Sequence, residues 1–482
     1  MDRDAIATVV TEVLKRLEQN GSPPPAASAA GASSVPGSSE SFVFQDLDAA
    51  VDASGTAQRV FQDLGLEQRE SIIAAMRKAA IDNAEPLAKM AREETGMGRY
   101  EDKVRKNLLA AKKTPGPEAL RAVARTGDKG LTITEYAPFG IVAAVTPSTN
   151  PTSTIINNAI SILSGGNSVI FAPHPASSGC CRATMKLLTE AIVSAGGPRG
   201  LITVVEPASQ ENTKALLAHP AIPVNLVTGG PAIVKVAMTS GKTCKTIAAG
   251  PGNPPVVVDE TAKVEEAARG VVTGCSFDNN VLCTAEKEVI LVDAIKDRFL
   301  AALRSDPRAY ELNPEQLGRL TKEVIIEGGK GCKDPKLNRK YIGKDAAVIA
   351  RGIGLDVPAG TRLLWSFVDH DNEWIWTEQL MPVLPVTSVS CVDKAIELAY
   401  HAEGYNHHTA SMYSMNVENL TKMGRRMACS IFVKNAPNFN GLGMGEGYAT
   451  LSIGTPTGDG LTQATHFVRP LQCSLVGYFR IV

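Results

Sequence analysis

At 482 residues, with 44% hydrophobic and 21% charged residues, the chain has the apolar content of a well-buried globular protein and more length than one minimal domain needs. A formal net charge of -1 gives no basic footprint for nucleic acid or an anionic membrane, and no run approaches the ~20 apolar residues that span a bilayer. A small-molecule partner and an intracellular location are therefore expected.

In chain order, Ile6, Val9, Val10, Val13, Leu14 and Leu17 form one apolar helical stripe over residues 1–20. Residues 21–41 are rich in Gly, Pro, Ala and Ser and read as a flexible linker. A helix this short is marginal alone, so its stripe calls for a docking partner or for packing back on the same chain. From about Phe42 to Lys113 the spacing predicts helices, and between Gly130 and Val145 the chain becomes β-rich. A helix (Thr154 to Leu163), a strand (Ser168 to Ala172), a helix (Cys180 to Ser194), a strand (Leu201 to Val205), a helix (Gln210 to Ala218) and a strand (Val224 to Val227) follow, then a helix opened by Gly229 and Gly230. This alternation predicts an α/β fold with a doubly wound parallel sheet whose ligand sits at the carboxyl ends of the strands. A second α/β segment runs from near Val256 to about Gly443, with a helix from Val264 to Phe277, a strand from Lys287 to Val292 and a helix from Ile295 to Arg304. The tail from Leu461 to Val482 predicts a strand or arm.

Nine cysteines with no CxxC pair suggest neither a disulfide framework nor a zinc site. Cys283 stands out because it lies in a polar loop between a predicted helix and strand, within Phe277-Asp278-Asn279-Asn280-Val281-Leu282-Cys283-Thr284-Ala285-Glu286-Lys287. A nucleophilic thiol also needs an oxyanion donor and an electron acceptor. The segment Thr146-Pro147-Ser148-Thr149-Asn150-Pro151 follows a strand and opens a helix, so the Asn150 amide is either an oxyanion donor or a helix cap. Thr228-Gly229-Gly230 is a second strand–helix junction, where missing side chains let a cofactor approach the backbone.

Together with Gly165-Gly166-Asn167-Ser168-Val169-Ile170, Glu378-Gln379-Leu380-Met381-Pro382-Val383 and Ser452-Ile453-Gly454-Thr455-Pro456-Thr457-Gly458, these segments resemble the aldehyde dehydrogenase superfamily from about Phe42 onward. They are most similar to its CoA-acylating branch, the acetaldehyde and propionaldehyde dehydrogenases of bacterial microcompartments. The resemblance implies an aldehyde dehydrogenase-like fold: a Rossmann-type cofactor domain (42–258, with 444–482 returning to it), an α/β catalytic domain (259–443) and a small β oligomerisation arm. It further implies oxidation of a short aldehyde, propionaldehyde or acetaldehyde, with NAD and coenzyme A. In that scheme Cys283 is the nucleophile and Asn150 the oxyanion donor. Thr146, Pro147, Ser148, Ala172, Pro173, His174, Thr228, Gly229, Gly230, Ala249, Gly250, Glu378 and Leu380 border the cofactor, with Glu378 at the nicotinamide ribose. His408 either helps deprotonate Cys283 or coenzyme A, or is structural.

Two departures from the superfamily carry information. Hydrolytic members place a Glu before a Leu-Gly-Gly upstream of the nucleophile to activate water, whereas here the region reads Thr246-Ile247-Ala248-Ala249-Gly250-Pro251-Gly252-Asn253-Pro254. Loss of such a base costs water attack roughly 10²–10⁴-fold, while a readily ionised thiol such as coenzyme A needs less help. Ala172 replaces the superfamily's Lys for the adenosine ribose, and nothing there excludes NADP. The helix and linker of residues 1–41 resemble the encapsulation peptides of microcompartment enzymes, which implies a shell protein as partner of residues 1–20 and residence inside a microcompartment of the cytoplasm. A homo-oligomer, dimer or tetramer, is implied by the β arm. The rival readings are a dehydrogenase that releases free acid and a non-catalytic shell-associated protein.

Overall fold

The computed structural model describes residues 42–332 and 334–478. The expected helix over 1–20 and linker over 21–41 lie outside the described residues.

Two parallel sheets organise the chain. In the first, the strand order is Val43–Phe44, Ile202–Val205, Ser168–Pro173, Ile141–Thr146, Val224–Thr228 and Lys245–Ala249. One face packs Val142, Ala144, Val169 and Phe171 against Phe61, Met76 and Leu188 of helices Leu47–Asp63, Leu66–Asp82 and Ser178–Ser194. The other sets Val145, Ile170 and Val227 against Leu216, Leu217 and Val234 of helices Gln210–Ala218 and Pro231–Met238. Strands covered on both faces lose their alternation, which is why they appear in the sequence as unbroken apolar runs. The helix Pro151–Ser164 is buried along its whole length and so shows no polar stripe.

The second sheet runs Ala309–Glu311, Leu363–Phe367, Val383–Val389, Glu288–Val292, Pro255–Val258, Thr409–Tyr413, Ile431–Lys434, again all parallel. Val256 and Val258 face Val271 and Phe299, whereas Val257 faces Ile396, Ala399 and Met423. Because Pro255–Val258 pairs here, the chain changes sheets over residues 250–254, ahead of the division at 258 read from the sequence.

The β-rich stretch after Gly130 serves two sheets. Ile141–Thr146 lies at the centre of the first parallel sheet, but Gly130–Pro138 joins Val123–Gly127 and Val468–Val476 in a three-stranded antiparallel ribbon. The tail strand and the β-rich segment thus pair with each other within the chain. The helix read as Val264 to Phe277 stops at Cys275, since Asp278, Asn279 and Asn280 have left-handed backbones. Lys245–Ala249, an edge strand mixing Lys and Thr with Ala, was not evident from the sequence. Among the described residues no helix is long and apolar enough to cross a membrane, and none of their His, Cys, Asp and Glu side chains form a group able to hold a metal.

Candidate active site

A cleft of about 2210 Å³ lies along the carboxyl edge of the first sheet and reaches into the second. Every site residue expected from the sequence lines it: Cys283, Asn150 and His408, together with Thr146, Pro147, Ser148, Ala172, Pro173, His174, Thr228, Gly229, Gly230, Ala249, Gly250, Glu378 and Leu380.

Cys283 follows an unusual turn. Three non-glycine residues in succession, Asp278, Asn279 and Asn280, have φ of 46°, 52° and 61°, a region that Asp and Asn enter more readily than most residues. Side-chain bonds over-determine the turn. Asp278 accepts from the Arg99 N–H at 2.6 Å and from Lys103 Nζ at 3.4 Å, and is also bonded by Lys106 Nζ. Asn279 Nδ2 donates to Gly343 O and Asp345 Oδ1, each at 3.0 Å. Asn280 Nδ2 donates to Cys275 O and Glu286 O, each at 2.8 Å. The buried Lys287 Nζ donates to Asn280 O at 3.0 Å and Leu282 O at 3.2 Å and bonds the Asn280 amide oxygen, so one ammonium grips the loop that carries the thiol.

Asn150 occupies the N-cap position of helix Pro151–Ser164, but its side chain makes no capping bond. Its Oδ1 accepts from Lys106 Nζ at 2.6 Å and its Nδ2 lies 3.1 Å from Thr149 Oγ1. Neither Lys103 nor Lys106, both buried on helix Tyr100–Lys113, was singled out from the sequence. The signal that could have found them is their i, i+3 spacing on the stripe that continues through Leu109 and Ala110, where a lysine is out of place.

The wall beside Cys283 is stripped of side chains. A Cβ at Gly252 would stand 2.8 Å from His408 Cγ, 3.0 Å from Cys283 O and 3.1 Å from His408 Nδ1. His408 is fixed by its own N–H to Glu403 Oε1 at 2.8 Å and by Nδ1 to Thr409 Oγ1 at 2.9 Å, and its buried Nε2 has no hydrogen-bond partner among the described residues. Burial, with the Lys287 charge adding to it, holds the His408 imidazole down to about 4, so the ring is neutral near pH 7. The Cys283 residue remains partly exposed to the cleft. Enclosure, and next the Glu378 charge, push its thiol up to about 12 against the pull of Lys287 and Lys106. Burial raises the Glu378 carboxyl to about 7, opposed by Lys287, and raises Glu403 to about 7, opposed by the N–H groups of His408 and His407. Without a ligand the thiol is stored in its neutral form.

On the other side of the cleft the first sheet's strands end at Thr146, Pro173, Thr228 and Ala249. A Cβ at Gly230 would meet nothing within 4 Å, so the turn into helix Pro231–Met238 is open, and Ile233 and Val236 of that helix supply an apolar lining. An exposed helix N-terminus beside an apolar wall suits a nucleotide's phosphates and its base.

The aldehyde dehydrogenase family model matches residues 34–449. The chain belongs to that family. Over 485 aligned residues it is 45% identical to an acetaldehyde dehydrogenase (acetylating) of Bilophila wadsworthia, covering 99% of both chains. Among solved aldehyde dehydrogenase structures, the propionaldehyde dehydrogenase of the Clostridium phytofermentans fucose utilisation bacterial microcompartment superposes with a TM-score of 0.88 at 40% identity, covering 92% of this chain and 100% of that one. A Rhodopseudomonas palustris propionaldehyde dehydrogenase with bound propionyl-CoA gives 0.87 at 43% identity, with 91% and 96% covered. Within the aldehyde dehydrogenase family, then, the resemblance is to acylating enzymes along nearly the whole chain.

Proposed function

We propose that the cleft oxidises a short aliphatic aldehyde, propionaldehyde or acetaldehyde, to an acyl thioester on Cys283 and passes the acyl group to coenzyme A. The observation that carries this reading is the wall of Ala249, Gly250, Pro251 and Gly252 in the cleft that Cys283 lines: it holds no carboxylate to activate water, and the cleft, at about 2210 Å³, has room for a long thiol cosubstrate. Glu403, a carboxylate lining the same cleft, is engaged by the N–H groups of His407 and His408.

The Cys283 thiolate attacks the aldehyde carbon, and the oxyanion forms against the Asn150 amide and the Cys283 N–H. The nicotinamide cofactor, NAD by family habit, supplies the hydride acceptor in the next step. It would lie along Thr146, Pro147, Ser148, Ala172, Pro173, His174, Thr228, Gly229 and Gly230, with Glu378 and Leu380 on the opposite side. His408, with an unpartnered Nε2, is assigned to assist loss of the Cys283 or coenzyme A proton, a role that requires bound ligands to lift its imidazole from about 4. After hydride loss the acyl group is held on Cys283 until the coenzyme A thiolate attacks the same carbon and Cys283 leaves.

The test is NADH formation with and without coenzyme A. Strong dependence on coenzyme A and complete loss in Cys283→Ala are expected; undiminished turnover without coenzyme A would overturn the acyl-transfer step.

Residues 1–20 are assigned to docking on a microcompartment shell protein, with support from the amphipathic stripe and from the compartment named for the C. phytofermentans relative. Fused to a fluorescent protein, they should direct it into shells; diffuse fluorescence in shell-forming cells refutes the assignment.

A further inference from the structure

A buried ammonium needs a reason, because desolvating it is costly unless its hydrogen bonds are made. Helix Tyr100–Lys113 buries two of them side by side, Lys103 and Lys106, 2% and 1% exposed. Asp278 answers both, yet Lys103 also donates to Thr149 O at 3.2 Å and Lys106 to Asn150 Oδ1 at 2.6 Å. Asp102 pulls more weakly on Lys106 and is also engaged by the Asp278 N–H and by Arg362. The two lysines therefore place more positive charge than Asp278 cancels directly behind the Thr149–Asn150 segment.

The identity of the atom facing Lys106 matters. A carboxamide presents an acceptor at one end and donors at the other, whereas an ammonium only donates. Whichever end of Asn150 meets Lys106 must be its oxygen, and the Nδ2 group is thereby turned away, to Thr149 Oγ1 and the cleft that Asn150 lines. With the amide reversed, a lone pair would oppose any developing oxyanion.

We propose that Lys106 is a positioning residue for the oxyanion site, locking the Asn150 carboxamide with its N–H₂ toward the cleft while tying that amide, through Asp278, to the nucleophile turn. The inference rests on the reading of Asn150 as oxyanion donor. Burial brings the Lys106 ammonium down to about 8 while Asp278 pulls it up, which keeps it largely charged at neutral pH. Asn150 and Lys106 sit on the side of the first sheet, and Asp278 and Cys283 come from the loop leading into the second, so a single ammonium joins the two halves of the oxyanion site.

A double-mutant cycle in the full chain tests this, using NADH formation with aldehyde, NAD and coenzyme A, the KM for NAD and thermal melting. Removal of one oxyanion donor costs about 10²–10³ in kcat, so Asn150→Ala should lose on that order, and Lys106→Met roughly 10–100-fold with the KM for NAD within about twofold. In the Asn150→Ala background, Lys106→Met should cost less than about threefold more, because the group it positions is gone. Lys106→Arg, which keeps charge and donors, should recover part of the loss. If Lys106→Met fails to fold, Lys106→Gln, which leaves the buried Lys103–Asp278 pair neutral and keeps a polar group at the site, should fold while remaining slow. Wild-type kcat in the folded Lys106 variants, or full additivity with Asn150→Ala, overturns the role of Lys106 and leaves Asn150 standing. Wild-type kcat in Asn150→Ala overturns both.

Discussion

Gly252→Ala is the smallest change that should uncouple stability from catalysis in this cleft. Gly252 has no left-handed backbone, so alanine is not strained by its own φ. The obstacle is space. Carbon–carbon contacts are comfortable near 3.5–4.0 Å, but the new methyl would stand 2.8 Å from His408 Cγ and 3.0 Å from Cys283 O. Relief requires the ring or the loop to retreat by roughly 0.5–1 Å. Neither yields easily: Glu403 and Thr409 hold His408, and Lys287 holds the loop through Asn280 O and Leu282 O. Overpacking of this kind costs about 1–3 kcal/mol, leaving a folded enzyme, whereas a misplacement of about 1 Å at reacting groups costs on the order of 10²-fold. The expected outcome is a kcat lowered about 10–100-fold, an unchanged KM for NAD and a melting point only a few degrees lower. Wild-type kcat would show that the spacing between Cys283 and His408 at this wall does not govern the reaction.

Three further outcomes follow from the electrostatics and the nucleophile turn. Because enclosure pushes the Cys283 thiol up to about 12, its alkylation by iodoacetamide in the ligand-free enzyme should accelerate about tenfold per pH unit through pH 9. Peptide mapping separates it from the exposed Cys391 and Cys473, and a plateau near pH 7 would contradict the stored neutral thiol. Glu286 is buried and its carboxyl is raised from 4.5 to about 7, mainly by desolvation. A folded-state value above the unfolded one contributes stability that is full below about 4.5 and is lost as pH rises through 7. Glu286→Gln should therefore melt like the parent at pH 4.5 but gain about 3 kcal/mol at pH 8; an equal difference at both pH values would sink the assignment. Asn280→Gly suits the φ of 61° but deletes the bonds to Cys275 O, Glu286 O and Lys287. It should destabilise by about 2–4 kcal/mol in urea denaturation, and a neutral result would mean that backbone preference, not these bonds, shapes the turn.

Much of this molecule was legible along the chain because parallel strands announce themselves. Runs such as Ile141 to Val145 and Val169 to Phe171 are apolar on both faces and leave little ambiguity. The edge strand Lys245–Ala249 escaped because it is short and only partly covered. Cys283 and Asn150 were singled out through the pattern of their neighbours and line one cleft, and the Asp278-Asn279-Asn280 triplet carries a residue-level sign of left-handed turns. Leu380 gives no such sign, yet has φ of 52° and offers its carbonyl to the Gly343 N–H. What holds the site together was invisible for a different reason. Lys106 meets Asn150 and Asp278 across separations of 44 and 172 positions, and no periodicity in a helix reveals which distant groups its polar residues will find.

The returning segment gives the cleft a place in time. Ala449 N bonds Lys113 O, Leu451 N bonds Asn157 Oδ1 and Ser452 Oγ bonds Asn158 Oδ1, so residues emerging long after Cys283 complete the packing of the helices that carry Lys106 and follow Asn150. On a ribosome Cys283 is made well before the cleft around it can be assembled. A nascent or truncated chain carries Cys283 without the enclosure of the folded cleft, and on the proposed mechanism the capacity to trap aldehydes as thioesters arrives only with completed folding.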